Sequence, residues 1–235
     1  MRFLSGRWSY PLLAFAMLLA ILLLVRQGLA SAYHFKSVFY LDNWHSSKIV
    51  SGSAYQDAKV AAVQAVQLDS SNPHYRLMLA RTLEWGHHQQ LEQIDTVQLN
   101  QLYQQALAQR PQWGDGYAAY AYALAWVLNQ PEAAAEQLLL ADAHGPYMPR
   151  PLLLSVHLAN DFWPQLPATF KTLYFRNQLK LAKAYYPVYR QFITLSRNSP
   201  LQKVQCAYLR QQALSSDEYS RLQRQLCQHW PKSVG

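Results

Sequence analysis

The sequence is poor in acidic residues, cysteine and glycine, and each shortage narrows what the protein can be. Only 13 Asp and Glu accompany 21 Lys and Arg in 235 residues, which gives a formal net charge of +8. Two cysteines are too few for a disulfide-dense scaffold or for an all-cysteine zinc or iron–sulfur site. Eight glycines and 12 prolines, with 51% hydrophobic residues, exclude a collagen-like, low-complexity or wholly disordered chain.

Motifs that would indicate an enzyme are also missing. The chain has no glycine-rich phosphate loop, no Gly-x-Ser-x-Gly elbow and no Cys-x-x-Cys pair. The nearest approach to a metal set is His87-His88 with Glu84 and Glu92, but adjacent histidines point in different directions and make a poor chelate. We therefore predict a polar turn there, and a protein that is not an enzyme and has no cofactor or metal.

One long hydrophobic run lies near the N-terminus. The 18 residues from Trp8 to Val25 are uncharged, and a membrane-spanning helix needs roughly 20 apolar residues. Arg2 and Arg7 precede the run, which favours a cytoplasmic N-terminus. We predict a transmembrane signal-anchor at 1–27, single-pass in the inner membrane, with the C-terminal domain in the periplasm.

A cleaved signal peptide is the competing interpretation. Ala30-Ser31-Ala32 has the small-x-small form of a cleavage site, and cleavage there would leave Tyr33 as the new N-terminus. Arg26, however, interrupts the stretch between the hydrophobic run and that site. Either alternative exports the rest of the chain. Residues 28–53 are polar with little periodicity, and we predict a juxtamembrane connector there.

From residue 54 onward the pattern of small and apolar residues predicts helices and no strands. Segments 65–70, 106–111 and 141–146 each run from an alanine into a turn, at intervals of 41 and 35 residues. A tetratricopeptide unit is about 34 residues of helix–turn–helix, so residues 54–146 resemble tetratricopeptide-like repeats. We predict an all-α fold with a short α-hairpin solenoid and an irregular helical C-terminal cap at 147–235. The alternative is an α-helical domain in which alanine and leucine recur by chance.

The two cysteines lie symmetrically about a predicted turn. Cys206 is 10 residues before Ser216 and Cys227 is 11 after it, so an antiparallel pair of helices would bring them level. An oxidising periplasm would allow them to form a disulfide. The alternative is two free buried thiols whose side chains point apart.

All the net positive charge falls in the C-terminal half. Residues 162–216 contain eight Lys and Arg and no Asp or Glu. On a helix predicted at about 168–186 and ended by the following proline, Arg176, Lys180 and Lys183 share one face. Such a face would attract phospholipid headgroups, an anionic glycan or an acidic protein surface, whereas export argues against nucleic acid. The alternative is a solvated basic face without a ligand.

Aromatic residues are dense between positions 113 and 126. Trp113, Tyr117, Tyr120 and Trp126 fall at helical spacings. Aromatic side chains anchor partner proteins and stack on sugar rings, because they offer a large contact area with little entropy to lose. They are candidate partner- or glycan-binding residues, and the alternative is that they form the core.

Two segments carry a resemblance to a bacterial family. They are 110–118 (RPQWGDGYA) and 132–141 (EAAAEQLLLA), which follow a one-span N-terminus. The combination resembles VpsP-type proteins found with exopolysaccharide biosynthesis systems of Gram-negative marine bacteria. The resemblance implies an accessory role in producing or exporting a surface polysaccharide, and it carries over no active-site residue. We expect an adaptor that contacts proteins of an envelope polysaccharide system. The alternatives are a binder of an anionic glycan through the basic half, or an assembly factor for another envelope system.

Overall fold

Helices account for all the regular structure of residues 9–229, which are the residues that the computed structural model describes. A π-helical segment, Ala123–Val127, continues α5, and a 3-10 turn, Trp163–Gln165, follows α7. No strand occurs in this part of the chain, and the predicted all-α fold class is confirmed. The α-helices are α1 Ser9–Ser47, α2 Gly52–Leu68, α3 Pro73–His88, α4 Thr96–Gln109, α5 Gly114–Tyr122, α6 Pro131–His144, α7 Pro149–Phe162, α8 Ala168–Ala182, α9 Tyr186–Arg197, α10 Gln202–Arg210 and α11 Ser216–Gln225.

The chain divides into two compact units, one ending at Arg110 and the other beginning at Pro111. Unit 1 contains α1–α4 and unit 2 contains α5–α11. Within unit 1, and from α5 to α9 within unit 2, helices that follow one another in the chain pack together as they do in tetratricopeptide repeats. The repeat boundaries predicted at 54 and 146 differ from the boundary between these units and stay a prediction.

The first half of helix α1 is unlike the rest of the described chain. From Tyr10 to Val25 every side chain is exposed, although nearly all of them are apolar. Among residues 9–229, α1 is the one helix that is long and apolar enough to cross a membrane. Lipid is the solvent in which such a surface is stable. The predicted Arg2, Arg7 and Trp8 flank lies outside the described residues.

The second half of α1 packs as a helix of unit 1. Ala30, Ser37, Leu41 and Trp44 are buried at spacings of seven, four and three, which places them on one helical face against α2 and α3. The segment 28–53, predicted as a juxtamembrane connector, is helical as far as Ser47, and its role as a connector stays a prediction. This face could not be predicted from the hydrophobic pattern, because small and polar residues occupy half of its buried positions.

Side-chain caps set the starts of the helices in unit 1. Ser51, Asn72 and Asp95 precede α2, α3 and α4, and the side chain of each accepts a hydrogen bond from a backbone N–H of the first turn. Helices α2 and α4 end at Leu68 and Gln109, inside the first two segments on which the repeat was recognised. The repeat signal in the sequence therefore corresponds to the ends of the second helices of successive hairpins.

The helix predicted at about 168–186 ends earlier in the structure, and the next helix begins before the proline. Helix α8 ends at Ala182 rather than near residue 186, and α9 begins at Tyr186 with Pro187 in its first turn. The first turn of a helix has no acceptor for its N–H groups, so a proline there opens a helix instead of closing one. One hydrophobic cluster of unit 2 lies between α7, α8, α9, α10 and α11, where Val156, Phe192 and Leu209 are fully buried.

Candidate functional site

The candidate aromatic residues of unit 2 differ in their exposure. Trp113 and Tyr120 are each 7% exposed and pack in the core, so each offers little surface to a partner, and their role as contact residues stays a prediction. Tyr117 is half-buried, and its ring stacks on His144 with centroids 5.6 Å apart. The hydroxyl of Tyr117 donates a hydrogen bond to the carbonyl oxygen of Pro111 at 3.2 Å.

Trp126 lies in a second aromatic cluster, at the end of α7. Its indole stacks on the imidazole of His157, with ring centroids 4.6 Å apart, and its Nε1–H donates to Asp161 Oδ2 at 2.8 Å. The rings of Tyr122 and Phe162 also contact Trp126. Trp126 lies in the π-helical segment and is half-buried, and its contacts with α7 hold the ring in place.

The basic face of α8 is neutralised in part by a carboxylate from α6. Asp142 Oδ2 accepts a hydrogen bond from Arg176 Nη2 at 2.5 Å, and Asp142 Oδ1 accepts one from Lys180 Nζ at 2.7 Å. The side chains of Asp142 and Lys180 are only 10% and 15% exposed, whereas that of Arg176 is 60% exposed. Two of the three predicted cations therefore stabilise the packing of α8 on α6.

A groove of about 420 Å³ lies beside these cations and is the strongest candidate for a binding site. Tyr147 and Tyr185 stand on its rim and are 77% and 63% exposed. Its floor is apolar and is formed by Pro149, Leu152, Leu179, Ala184 and Val188. Exposed aromatic rings above an apolar floor suit an aliphatic or aromatic side chain of a partner better than they suit water.

The same groove carries a positive rim. Lys180 and Lys183 both line it, and Lys180 Nζ lies 5.4 Å from the centre of the Tyr147 ring. Lys183 donates to the carbonyl oxygen of Ala213 at 2.9 Å and makes no ion pair with a described residue, so its charge is not neutralised locally. Arg176 and Lys180 share the carboxylate of Asp142, so Lys183 supplies the rim charge that has no carboxylate partner among the described residues.

The rim tyrosines were not recognised from the sequence. Tyr147 follows the turn after α6, and Tyr185 is the residue before α9, where it provides no side-chain cap. Both tyrosines lie outside the helices, so helical periodicity could not predict whether they are buried or exposed. The one usable signal was the pair Tyr185-Tyr186 directly before a proline, because two bulky residues at a helix start cannot both enter the core.

Unit 1 contains a polar network beside the predicted polar turn, which follows the end of α3 at His88. Glu92 accepts a hydrogen bond from the Tyr55 hydroxyl at 2.7 Å and pairs with Lys59 Nζ at 2.6 Å. Burial acts to raise the pKa of Glu92, but the hydrogen bonds from Lys59 and Tyr55 and the charge of Lys59 outweigh it and hold that pKa below its ordinary value. Burial, and then the contact with Glu92, raises the pKa of Tyr55.

The other carboxylate of the proposed turn is also engaged. Glu84 is buried and accepts a hydrogen bond from the Tyr103 hydroxyl at 2.5 Å. Residues 9–229 contain no group of three or more His, Cys, Asp or Glu side chains that could hold a metal ion. His87 and His88 have ring centroids 6.1 Å apart.

Cys206 and Cys227 form a disulfide that joins the middle of α10 to the segment after α11. Their Cα atoms are 5.6 Å apart, and both residues are fully buried. Disulfides persist in oxidising compartments and are rare in the cytosol of mesophiles. The disulfide and the apolar N-terminal helix, whether anchor or signal, together indicate an envelope location.

Comparison with known proteins supports the fold. Neither a protein-family model nor a curated protein matches the sequence. The solved structure of PilF from Pseudomonas aeruginosa is similar over 85% of this chain and 85% of that chain, with 18% identity and a TM-score of 0.52. The structure of PilW, a type IV pilus biogenesis factor, is similar over 83% of this chain and 86% of that chain, with 15% identity and a TM-score of 0.49. The likeness to PilF shows that this chain has a tetratricopeptide-like fold.

Proposed function

We propose that this protein is a membrane-anchored scaffold of the cell envelope, without catalytic activity, that binds a partner protein through the groove of unit 2. The observation that supports this most directly is the pairing of two exposed tyrosines with an apolar floor and unneutralised positive charge. Binding energy in protein interfaces concentrates on aromatic anchors that enter such depressions. The occupant is a peptide segment of the partner that carries an aliphatic or aromatic side chain next to a carboxylate.

A protein partner fits the groove better than an anionic glycan does. A glycan binder needs a row of accessible cations, but Lys180 is largely buried and both Lys180 and Arg176 are paired with Asp142. The apolar floor would face a polar polysaccharide without compensation. The resemblance to VpsP-type proteins supports a partner within an exopolysaccharide biosynthesis or export system.

The anchor is retained in this proposal, with the N-terminus in the cytoplasm and both units in the periplasm. The candidate cleavage site, Ala30-Ser31-Ala32, lies within α1, and Ala30 is fully buried against Ala65 and Tyr75. Cleavage after Ala32 would remove Ala30 from this packing, so the fold of unit 1 favours a retained helix. The intact mass of the protein in the membrane fraction tests the point, because cleavage would remove the first 32 residues.

Photo-crosslinking in cells tests the groove. A photoreactive phenylalanine analogue replaces Tyr185 or Tyr147 in the full-length chain, and Val204, which is 48% exposed on α10, is the matched control position. We expect one envelope protein to form an adduct at both groove positions and not at the control. Adduct formation at the control with equal yield, or at neither groove position, would refute the groove as the binding site.

Affinity measurements then test the chemistry of the groove. The purified partner should bind the Tyr185→Ala variant about tenfold more weakly, as expected when an aromatic anchor worth at least 1.4 kcal/mol is removed. Lys183→Glu should weaken binding more at low salt than at high salt, because it places a negative charge opposite the partner's carboxylate and salt screens that repulsion. Equal affinity of wild type and both variants would contradict the proposal. Both side chains are exposed, so circular dichroism should show unchanged helix content.

A further inference from the structure

Helix α1 is tied to the end of α2 at the point where its apolar half ends. Arg26 is the first charged residue after the exposed apolar stretch, and its Nε donates to the carbonyl oxygen of Leu68 at 2.6 Å. Its Nη2 lies 3.4 Å from the carbonyl oxygen of Gln67. These are carbonyl groups of the last turn of α2, which have no partner within the helix and carry its negative dipole end. Arg26 therefore fixes the height of α2 relative to the apolar half of α1.

That height corresponds to the membrane surface. From Tyr10 to Arg26 the helix rises about 24 Å, at 1.5 Å per residue, and a bilayer has a hydrocarbon core of about 30 Å. A charged side chain at the end of a spanning helix lies at the headgroup level. Because Leu68 is one hydrogen bond away from Arg26, the last turn of α2 lies at that level too.

Several helix ends of unit 1 meet there. Helix α1 pairs with α2 so that Ala30 contacts Ala65 and Leu41 contacts the start of α2, which makes the two helices antiparallel. The turn 69–72, the start of α3 and the end of α4 then lie at the same end of the unit as Arg26. Hydrogen bonds from Arg76 to Ser70 and Gln109 join these elements directly. We call this set the membrane-proximal end.

The membrane-proximal end has the chemistry of a headgroup-binding surface. It contains Arg26, Arg76 and Arg110 against the single carboxylate of Asp69. Arg26 and Arg76 bond only to carbonyl and amide oxygens, so neither charge is cancelled by a carboxylate of a described residue. Ser70 is exposed at the tip of the turn. Arginines near a bilayer surface attract phosphate groups.

We propose that the membrane-proximal end of unit 1 rests on the phospholipid headgroups of the membrane that α1 spans, so that the scaffold stands on the bilayer without a flexible stalk. This inference rests on the retained anchor of the proposed function. It assigns to unit 1 a binding surface of its own, with lipid phosphate as its ligand.

Fluorescence quenching by labelled lipid tests the proposal on the full-length protein in nanodiscs. The native cysteines form a disulfide and do not react, so Ser70→Cys and Gln89→Cys can each carry one thiol-reactive dye. Gln89 is exposed at the far end of α3, about 24 Å from its start at 1.5 Å per residue. The nanodiscs contain phosphatidylcholine with a nitroxide on the headgroup. We expect the dye at position 70 to lose most of its fluorescence and the dye at position 89 to lose little.

A matched variant separates the height of unit 1 from the mere presence of an anchor. Ten Gly and Ser residues inserted between Gln27 and Gly28 leave the packed face from Ala30 onward intact and add a flexible reach of about 17 Å. The dye at position 70 should then recover its fluorescence. Equal quenching at positions 70 and 89 in the parent chain, or no recovery after the insertion, would overturn the proposal. If the mass of the protein shows that the anchor is cleaved, the proposed function fails as well; with an intact anchor, only the contact with headgroups fails.

Discussion

Breaking the Cys206–Cys227 disulfide should weaken unit 2 by an amount that can be estimated from the structure. The bridge closes a chain segment with a sequence separation of 21 residues. In the chain-entropy model, a loop of this length stabilises the folded state by about 3 kcal/mol, because it restricts the unfolded chain. For a unit of about 120 residues, whose entropy of unfolding is near 2.1 cal/mol/K per residue, that loss lowers the midpoint of thermal unfolding by about 12 °C.

Thermal unfolding of the full-length protein in nanodiscs measures this effect. Unit 2 contains Trp126 and Trp163, which contact neighbouring rings and report its unfolding by fluorescence. The protein is unfolded and refolded with and without reductant, so that the buried bridge becomes accessible. The double variant Cys206→Ala, Cys227→Ala is the control, and reductant should leave its midpoint unchanged. An unchanged midpoint of the wild-type protein after full reduction would refute the reasoning, as would two reactive thiols in the unreduced, unfolded protein.

Three further substitutions have outcomes that the contacts determine. Gly86→Ala should lower the free energy of unfolding of unit 1 by about 1–3 kcal/mol in urea, because the added methyl group would overlap the buried ring of Tyr55. Gly52→Ala is the control: its methyl group meets open space, so the free energy of unfolding should change by less than about 0.5 kcal/mol. Asp142→Asn should lower the free energy of unfolding by about 2 kcal/mol, because it removes a carboxylate that pairs with two cations. The control Asp217→Asn, at an exposed position, should lower it by less than about 1 kcal/mol, and equal losses for the two variants would contradict this reasoning. The pKa of Glu92 is lowered in the folded protein, so its ionised form stabilises unit 1 above the ordinary pKa of glutamate, and this stabilisation is lost as pH falls through the folded value. Glu92→Gln should therefore flatten that part of the curve of unfolding free energy against pH.

Helix ends could be predicted from the sequence where they depend on neighbouring residues alone. The recurrence of an alanine and a turn located the ends of α2 and α4, because the end of a helix depends on neighbouring residues. The capping box of Ser215 and Glu218, another local signal, opens α11. Pro187 shows the limit of such rules, since a proline marks either the end of one helix or the first turn of the next, and the choice depends on packing.

Long-range pairing accounts for most of what the sequence did not reveal. Asp142 lies 34 and 38 positions from the two cations it neutralises, so the acid-free stretch appeared to be a free basic face. The burial of Trp113 and Tyr120 could not be predicted either, because residues of a contact surface and residues of a core have the same helical spacing. The groove needed three helices in place before its rim could be identified.

Helix α1 combines an exposed apolar half with a half that packs in unit 1. Its apolar half suits lipid on all sides, while its second half presents one face to α2 and α3, and no break separates them between Val25 and Ala30. Cleavage after Ala32 would remove Arg26 from the last carbonyl groups of α2 and Ala30 from the core of unit 1. The residues just after the apolar half therefore contribute to the packing of unit 1, and we expect a chain that retains this helix to be more stable than one cleaved after Ala32.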